Sequence, residues 1–139
     1  MQIVGGDILA IDKGIIVHQV NCKKVMGAGL ALQIRKKYPQ HFADFLSAEP
    51  KLGNIVTTRI NDNLYVVGVY GQDGYGRAGR YTNYSALQAG LVKVNMLANQ
   101  KQLPIFVPFG IGCGLAGGDW ERVADIINFA APNCILVRK

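Results

Sequence analysis

Apolar runs of strand length alternate along the chain with stretches of helical spacing. Ile3-Val4, followed by Gly5-Gly6-Asp7, predicts a short first strand and a turn, and the β-branched run GIIVHQV from Gly14 to Val20 predicts a buried strand. Beyond Gly29, the positions Leu30, Leu32 and Ile34, then Phe42, Phe45 and Leu46, are partly helical in spacing, with Pro39 between the two groups. The residue before a proline is pushed away from helical backbone, so two consecutive helices are expected. NIVTTRI and LYVVGVYG alternate on either side of Asn61-Asp62-Asn63 and predict an antiparallel hairpin, the Asn and Asp residues supplying the tight turn. After the loop Gly71 to Arg80, Thr82 or Asn83 is placed to cap an amphipathic helix running to about Gln100. PIFVPFG then predicts a strand, GGDWERVADIINFAA a helix and CILVRK a last strand.

Strands and helices in alternation with one inserted hairpin imply a mixed sheet covered on both faces, an α/β/α three-layer domain. No linker, repeat or low-complexity tract interrupts the 139 residues, a length suited to one core. In such sheets ligands settle beyond the carboxyl ends of the strands, so the loops after Val20, Tyr70 and Phe109 are expected to converge on one crevice.

Composition narrows the picture. Half the residues are hydrophobic, yet no apolar run approaches bilayer length and no signal-peptide pattern opens the chain, so a soluble, cytoplasmic protein without membrane contact is expected. Cys22, Cys113 and Cys134 are odd in number and far apart, which suggests neither a disulfide framework nor a zinc site, and no spacing calls for a metal or cofactor. A net charge of +6 favours a polyanionic partner, from a nucleotide diphosphate to nucleic acid, without choosing between them; a solvated basic face is the commoner explanation of such a charge.

The loops hold the chemistry. NCKKVMGAGLA brings Gly27 and Gly29 to a helix start, where unobstructed amides and the helix dipole can meet an anion; a turn needed for close packing is the alternative. PFGIGCGLAGGDW sets five glycines between Gly110 and Gly118, again between a strand and a helix. Two such loops favour a diphosphate gripped by main-chain amides from both sides. Neither is a Walker motif, since no GK[ST] follows, and no GxGxxG directly follows the first strand. Asp7 is either a turn residue or an acceptor for an adenine amino group, and Asn21 either meets ribose hydroxyls or ties two loops together.

With GDIL, VNCKKVMGAGLAL and GIGCGLAGGDW in this order, nearly the whole chain resembles the macro domains, in the branch of ADP-ribose 1″-phosphate phosphatases, terminal ADP-ribose protein glycohydrolase and antitoxins acting on ADP-ribosylated DNA. The resemblance implies a three-layer α/β/α macro domain with a mixed central sheet. It implies that Asp7 holds the adenine amino group, Ile8 adds a backbone contact and Asn21 meets the distal ribose. Gly27, Ala28, Gly29 and Leu30 would line the ribose and diphosphate, and Gly110, Ile111, Gly112, Cys113, Gly114 and Leu115 would wrap the diphosphate from the other side. Cys22, Lys23 and Lys24 would rim the site.

Hydrolysis at the distal ribose needs a base or nucleophile. His18, on the second strand, resembles a histidine implicated in yeast-type ADP-ribose 1″-phosphate phosphatase; the alternative is a hydrogen-bonded core residue. Asp119 either activates water or caps the last helix. The chain departs from the terminal glycohydrolase pattern at Ala116, where that branch has an acidic residue, and at Gln72-Asp73, where it has a lysine; an imine mechanism is thereby put in doubt. Arg77 and Arg80 form a pair suited to a terminal phosphate, or belong to a loop with no such role. Tyr70, Tyr75 and Tyr84 either stack on a base or close the core. The expected function is ADP-ribose binding with hydrolysis of ADP-ribose 1″-phosphate leading and removal of ADP-ribosyl groups from protein or DNA behind it; the alternative is a non-catalytic binder of ADP-ribose or another NAD-derived nucleotide.

Overall fold

The structure, a computed structural model, describes residues 1–76 and 79–139. Six strands form one sheet: β1 (Gln2–Gly5), β2 (Gly14–Asn21), β3 (Ile55–Asn61), β4 (Leu64–Gln72), β5 (Ile105–Pro108) and β6 (Ile135–Arg138), in the order β1-β6-β5-β2-β4-β3. Only β3 runs against its neighbour, as the tight Asp62-Asn63 turn requires; the pairs β1·β6, β6·β5, β5·β2 and β2·β4 are parallel. Four α-helices cover the sheet: α1 (Gly29–Lys37), α2 (Pro39–Ser47), α3 (Tyr84–Lys101) and α4 (Trp120–Ala130). A short 3₁₀ turn at Ile8–Ala10, which hydrophobic spacing does not announce, follows β1.

The alternation of β2 and β4 sorts their side chains to two faces. Ile15, Val17, Val67 and Val69 pack against Leu87, Leu91 and Val94 of α3 and Val123 and Ile127 of α4. On the other face Ile16, Leu64 and Val66 meet Ile34 of α1, while Val20 and Tyr70 meet Phe45 of α2. β4 is therefore buried on both sides almost throughout, as a strand inside a sheet covered on both faces must be.

The helix boundaries have local causes. Pro39 stands at the first position of α2, where its missing N–H is harmless, and the chain breaks at Tyr38. Asn83, the second of the two candidate caps, accepts the Ala86 amide at 3.0 Å, a contact worth about 1 kcal/mol. Gly90 lets α3 lie close on the sheet, since a Cβ there would stand 2.3 Å from Val69 Cγ1. From β2 the chain passes through α1 and α2 to one edge of the sheet, then α3 carries it back across to β5, beside β2. Strand order thus reverses next to β2, where an open α/β sheet leaves a crevice.

Candidate functional site

A crevice of about 790 Å³ occupies that reversal point. His18, Gln19 and Val20 form its floor at the end of β2. One wall is Asn21, Val25 and Gly27 to Ala31; the facing wall is Phe109 to Gly112 with Gly114, Leu115 and Ala116; Gln72, Tyr75 and Gly76 close a third side. The three loops expected to converge therefore do, and the two glycine loops face one site.

The first wall is built by Asn21 and Met26. The Asn21 amide donates to the Val25 carbonyl at 2.9 Å, and its oxygen accepts the amides of Lys23 and Val25 at 3.0 and 3.3 Å. Met26 is buried against Phe45 and Tyr70 and anchors the loop from below. The chain then enters α1 through Ala28, which has no side chain able to cap, so the first amides of α1 lack side-chain and intrahelical acceptors. The opposite wall is a series of turns in which the amides of Ile111 and Cys113 bond to Pro108 and Gly110 carbonyls. Those of Gly110, Gly112, Gly114 and Leu115 have no partner among the described residues. Gly29, Gly110 and Gly112 adopt φ of 55°, 85° and 75°, the left-handed region that side chains disfavour.

A polar clasp holds the loops together. The Gln19 amide donates to Gln72 Oε1 at 2.8 Å and to Thr82 Oγ1 at 3.0 Å; Thr82 donates to the Gly112 carbonyl at 2.6 Å, and Gln72 to the Gly74 carbonyl at 2.8 Å. Gln72 thus spends its amide on shaping the site. Spacing does not reveal this clasp, because its members meet only when the sheet forms.

The residues expected to do chemistry are placed less uniformly. His18 belongs to the floor, but its ring is buried with Nε2 turned to His41 Nε2 at 2.8 Å. Burial, and secondarily His41, holds its pKa well below the usual histidine value, so it is neutral at pH 7. Asp119 is exposed and outside the crevice walls; it occupies the N-cap position of α4 without a side-chain capping bond, and its amide donates to the Tyr84 hydroxyl at 3.0 Å. Asp7 caps the 3₁₀ turn through the Leu9 amide at 2.9 Å, and Ile8 is buried in the core; neither contributes to the walls. Cys113 also lies outside the lining, packed toward the core with Sγ 3.5 Å from the Ile111 carbonyl oxygen.

The basic residues expected at the rim have partners of their own. Lys24 turns its ammonium to the Leu46 carbonyl at 2.6 Å, and Lys23 pairs with Asp73 at 3.3 Å, so neither forms part of the walls. Burial, with Asp73 as a smaller contributor, raises the Cys22 pKa, which keeps the thiol protonated. Arg77 of the proposed arginine pair lies outside the described residues; Arg80 stacks over Tyr84, as does Arg122, with guanidinium carbons 4.8 and 4.0 Å from the ring centre. Tyr70 closes the core against Phe45, whereas Tyr75 is exposed at the crevice. Among the described residues no three His, Cys, Asp or Glu side chains gather as a metal site, and no helix is long and apolar enough to cross a membrane.

No family model matches the chain. Two curated proteins, both called DNA ADP-ribosyl glycohydrolase, from Mycobacterium bovis and Mycobacterium tuberculosis, are 30% identical over 129 residues. The match covers 85% of this chain, which spans only 35% of those relatives. Among solved structures, a macrodomain protein from Streptomyces coelicolor superimposes with a TM-score of 0.83 at 24% identity, covering 99% of this chain and 97% of that one. Thermosipho africanus DarTG in complex with ADP-ribose gives a TM-score of 0.80 at 17% identity, over 99% of this chain and 41% of that one. The fold is the three-layer α/β/α fold of macrodomains, with a mixed six-stranded sheet.

Proposed function

We propose that the crevice binds ADP-ribose and that the chain is a hydrolase acting at the distal ribose of an ADP-ribosyl group. The observation that carries the reading is the opposition of two glycine loops across one crevice, each with amides free to donate. Peptide dipoles arranged this way, with the positive end of α1 among them, suit a diphosphate. The relatives named as DNA ADP-ribosyl glycohydrolases and the neighbour solved with ADP-ribose support this ligand class. They also favour release of ADP-ribosyl groups from DNA over hydrolysis of ADP-ribose 1″-phosphate, and the basic charge of the chain agrees with a nucleic-acid-linked substrate.

In this reading Gly27 to Leu30 and Gly110 to Leu115 orient the diphosphate through their backbone, Asn21 shapes the distal-ribose wall, and His18 underlies the reacting end. Asp7 and Ile8, at the carboxyl end of β1, contact adenine beyond the crevice proper. Asp119 stands outside the crevice walls, so in this reading the attacking group is a water oriented near His18. With Gln72 in the lysine's place and its amide engaged, no imine step is invoked.

A second reading, a binder without turnover, is favoured by the walls themselves: their only titratable side chains among the described residues are the neutral His18 and Tyr75. Calorimetry with ADP-ribose, followed by product analysis on ADP-ribosylated DNA, ADP-ribosylated protein and ADP-ribose 1″-phosphate, separates the outcomes. Binding with release of ADP-ribose from DNA is the expected result; binding with no turnover on any substrate selects the binder, and no heat with ADP-ribose ends both.

A further inference from the structure

Beneath the crevice floor, side chains from β2, α2 and β3 form an unbroken hydrogen-bonded series. His18 Nε2 meets His41 Nε2 at 2.8 Å, His41 Nδ1 meets Thr58 Oγ1 at 2.8 Å, and the Thr58 hydroxyl donates to Asp44 Oδ2 at 2.6 Å. Asp44 Oδ1 takes the Gln40 amide at 2.9 Å. His18, His41 and Thr58 are buried, none more than 2% exposed.

The protons in this series have one consistent arrangement. A carboxylate only accepts, so the single Thr58 proton is committed to Asp44. Thr58 Oγ1 must then accept from His41, which places the His41 proton on Nδ1. A neutral imidazole protonated at Nδ1 has a bare lone pair at Nε2, so His18 donates to it from its own Nε2. His18 Nδ1 is left as a bare acceptor, and that atom is buried without a partner within the described protein. A further proton on His41 would bring two donors together at the His18–His41 contact, and burial disfavours charge on both rings. Buried polar atoms without partners are few in native proteins, and this one belongs to a residue of the crevice floor.

We infer that His41, Thr58 and Asp44 are positioning residues that hold His18 as its Nε2–H tautomer, so that Nδ1 accepts a hydrogen bond from a hydroxyl of the ligand bound in the crevice. The ligand half of this inference rests on the ADP-ribose reading, because ribose hydroxyls are donors of the required kind; the tautomer half stands on the protein alone. Asp44 is the terminal acceptor that gives the series its direction, and Thr58 is the link whose loss reverses it.

The chain has only two histidines, so ¹⁵N–¹H correlation of the imidazole rings resolves the whole series, with His41→Gln assigning the remaining ring. At pH 7.5 the free protein is expected to show His41 protonated at Nδ1 and His18 at Nε2, and ADP-ribose is expected to shift His18 Nδ1 toward a hydrogen-bonded acceptor. In Thr58→Val the His18 tautomers mix and affinity for ADP-ribose falls about tenfold, while Thr58→Ser restores both. A His18 proton on Nδ1 in the free protein, or unchanged tautomers in a folded Thr58→Val, overturns the positioning role; should Thr58→Val fail to fold, the wild-type spectrum still decides. Binding of ADP-ribose that leaves His18 Nδ1 unmoved overturns the ligand contact alone. Absence of ADP-ribose binding overturns that contact together with the proposed function, leaving the tautomers as a separate result.

Discussion

Two neutral histidines packed ring to ring make stability depend on acid. In the unfolded chain both titrate near 6.5, whereas His41 in the fold is lowered to about 4, chiefly by burial, and His18 lies well below its usual value. Between those limits the unfolded state binds protons that the folded state refuses, so stability is full above about pH 6.5 and declines as pH falls toward 4. His41 alone contributes a loss on the order of 3 kcal/mol across that window. Urea unfolding at pH 7.5 and 4.5 measures it, and equal midpoints would contradict the burial of the pair. Gly112 makes a different demand: at φ 75°, a Cβ would also stand 3.1 Å from Gln19 Oε1 and from Thr82 Oγ1. Gly112→Ala is expected to cost about 1–2 kcal/mol in backbone strain and to disturb the clasp. Calorimetry should register weaker ADP-ribose binding; unchanged affinity would remove Gly112 from the site.

Among the elements, α3 is fixed to the sheet by a missing side chain. Gly90→Ala forces its methyl against Val69 on the fully buried β4, and a destabilisation of about 1–3 kcal/mol is expected in thermal unfolding, with crevice affinity nearly unchanged. The same elements explain what the sequence discloses. β2, the break at Pro39, the hairpin and the Asn83 cap are local events, governed by residues within a few positions of each other, and all were legible. So was the convergence of the loops after β2, β4 and β5, because parallel strands send their carboxyl ends to one edge. The side-chain assignments depended on distant partners and were not legible in the same way. His41 looks like an ordinary helical residue until β2 brings His18 beneath it. Cys113 sits among glycines that line the crevice, but the turn sends its thiol toward the core. Lys24 lies beside the glycine loop in sequence, yet its backbone at φ 62° carries the ammonium to the end of α2.

For the molecule as a whole, charge and recognition separate. The net charge is +6, but no lysine or arginine contributes to the crevice walls among the described residues. Main-chain dipoles do not release condensed counterions, so ADP-ribose affinity is expected to fall only slightly between low and high salt, while any affinity for unmodified oligonucleotides falls steeply. Matching salt slopes for the two ligands would place binding on the basic surface instead. The most direct test of the central claim is a backbone amide NMR titration with ADP-ribose. The two-loop clasp predicts that the largest shifts fall on Gly27 to Leu30 and on Gly110 to Leu115 together, in one saturable process; no shifts in either loop, or shifts confined to residues of α3 and α4, would contradict it.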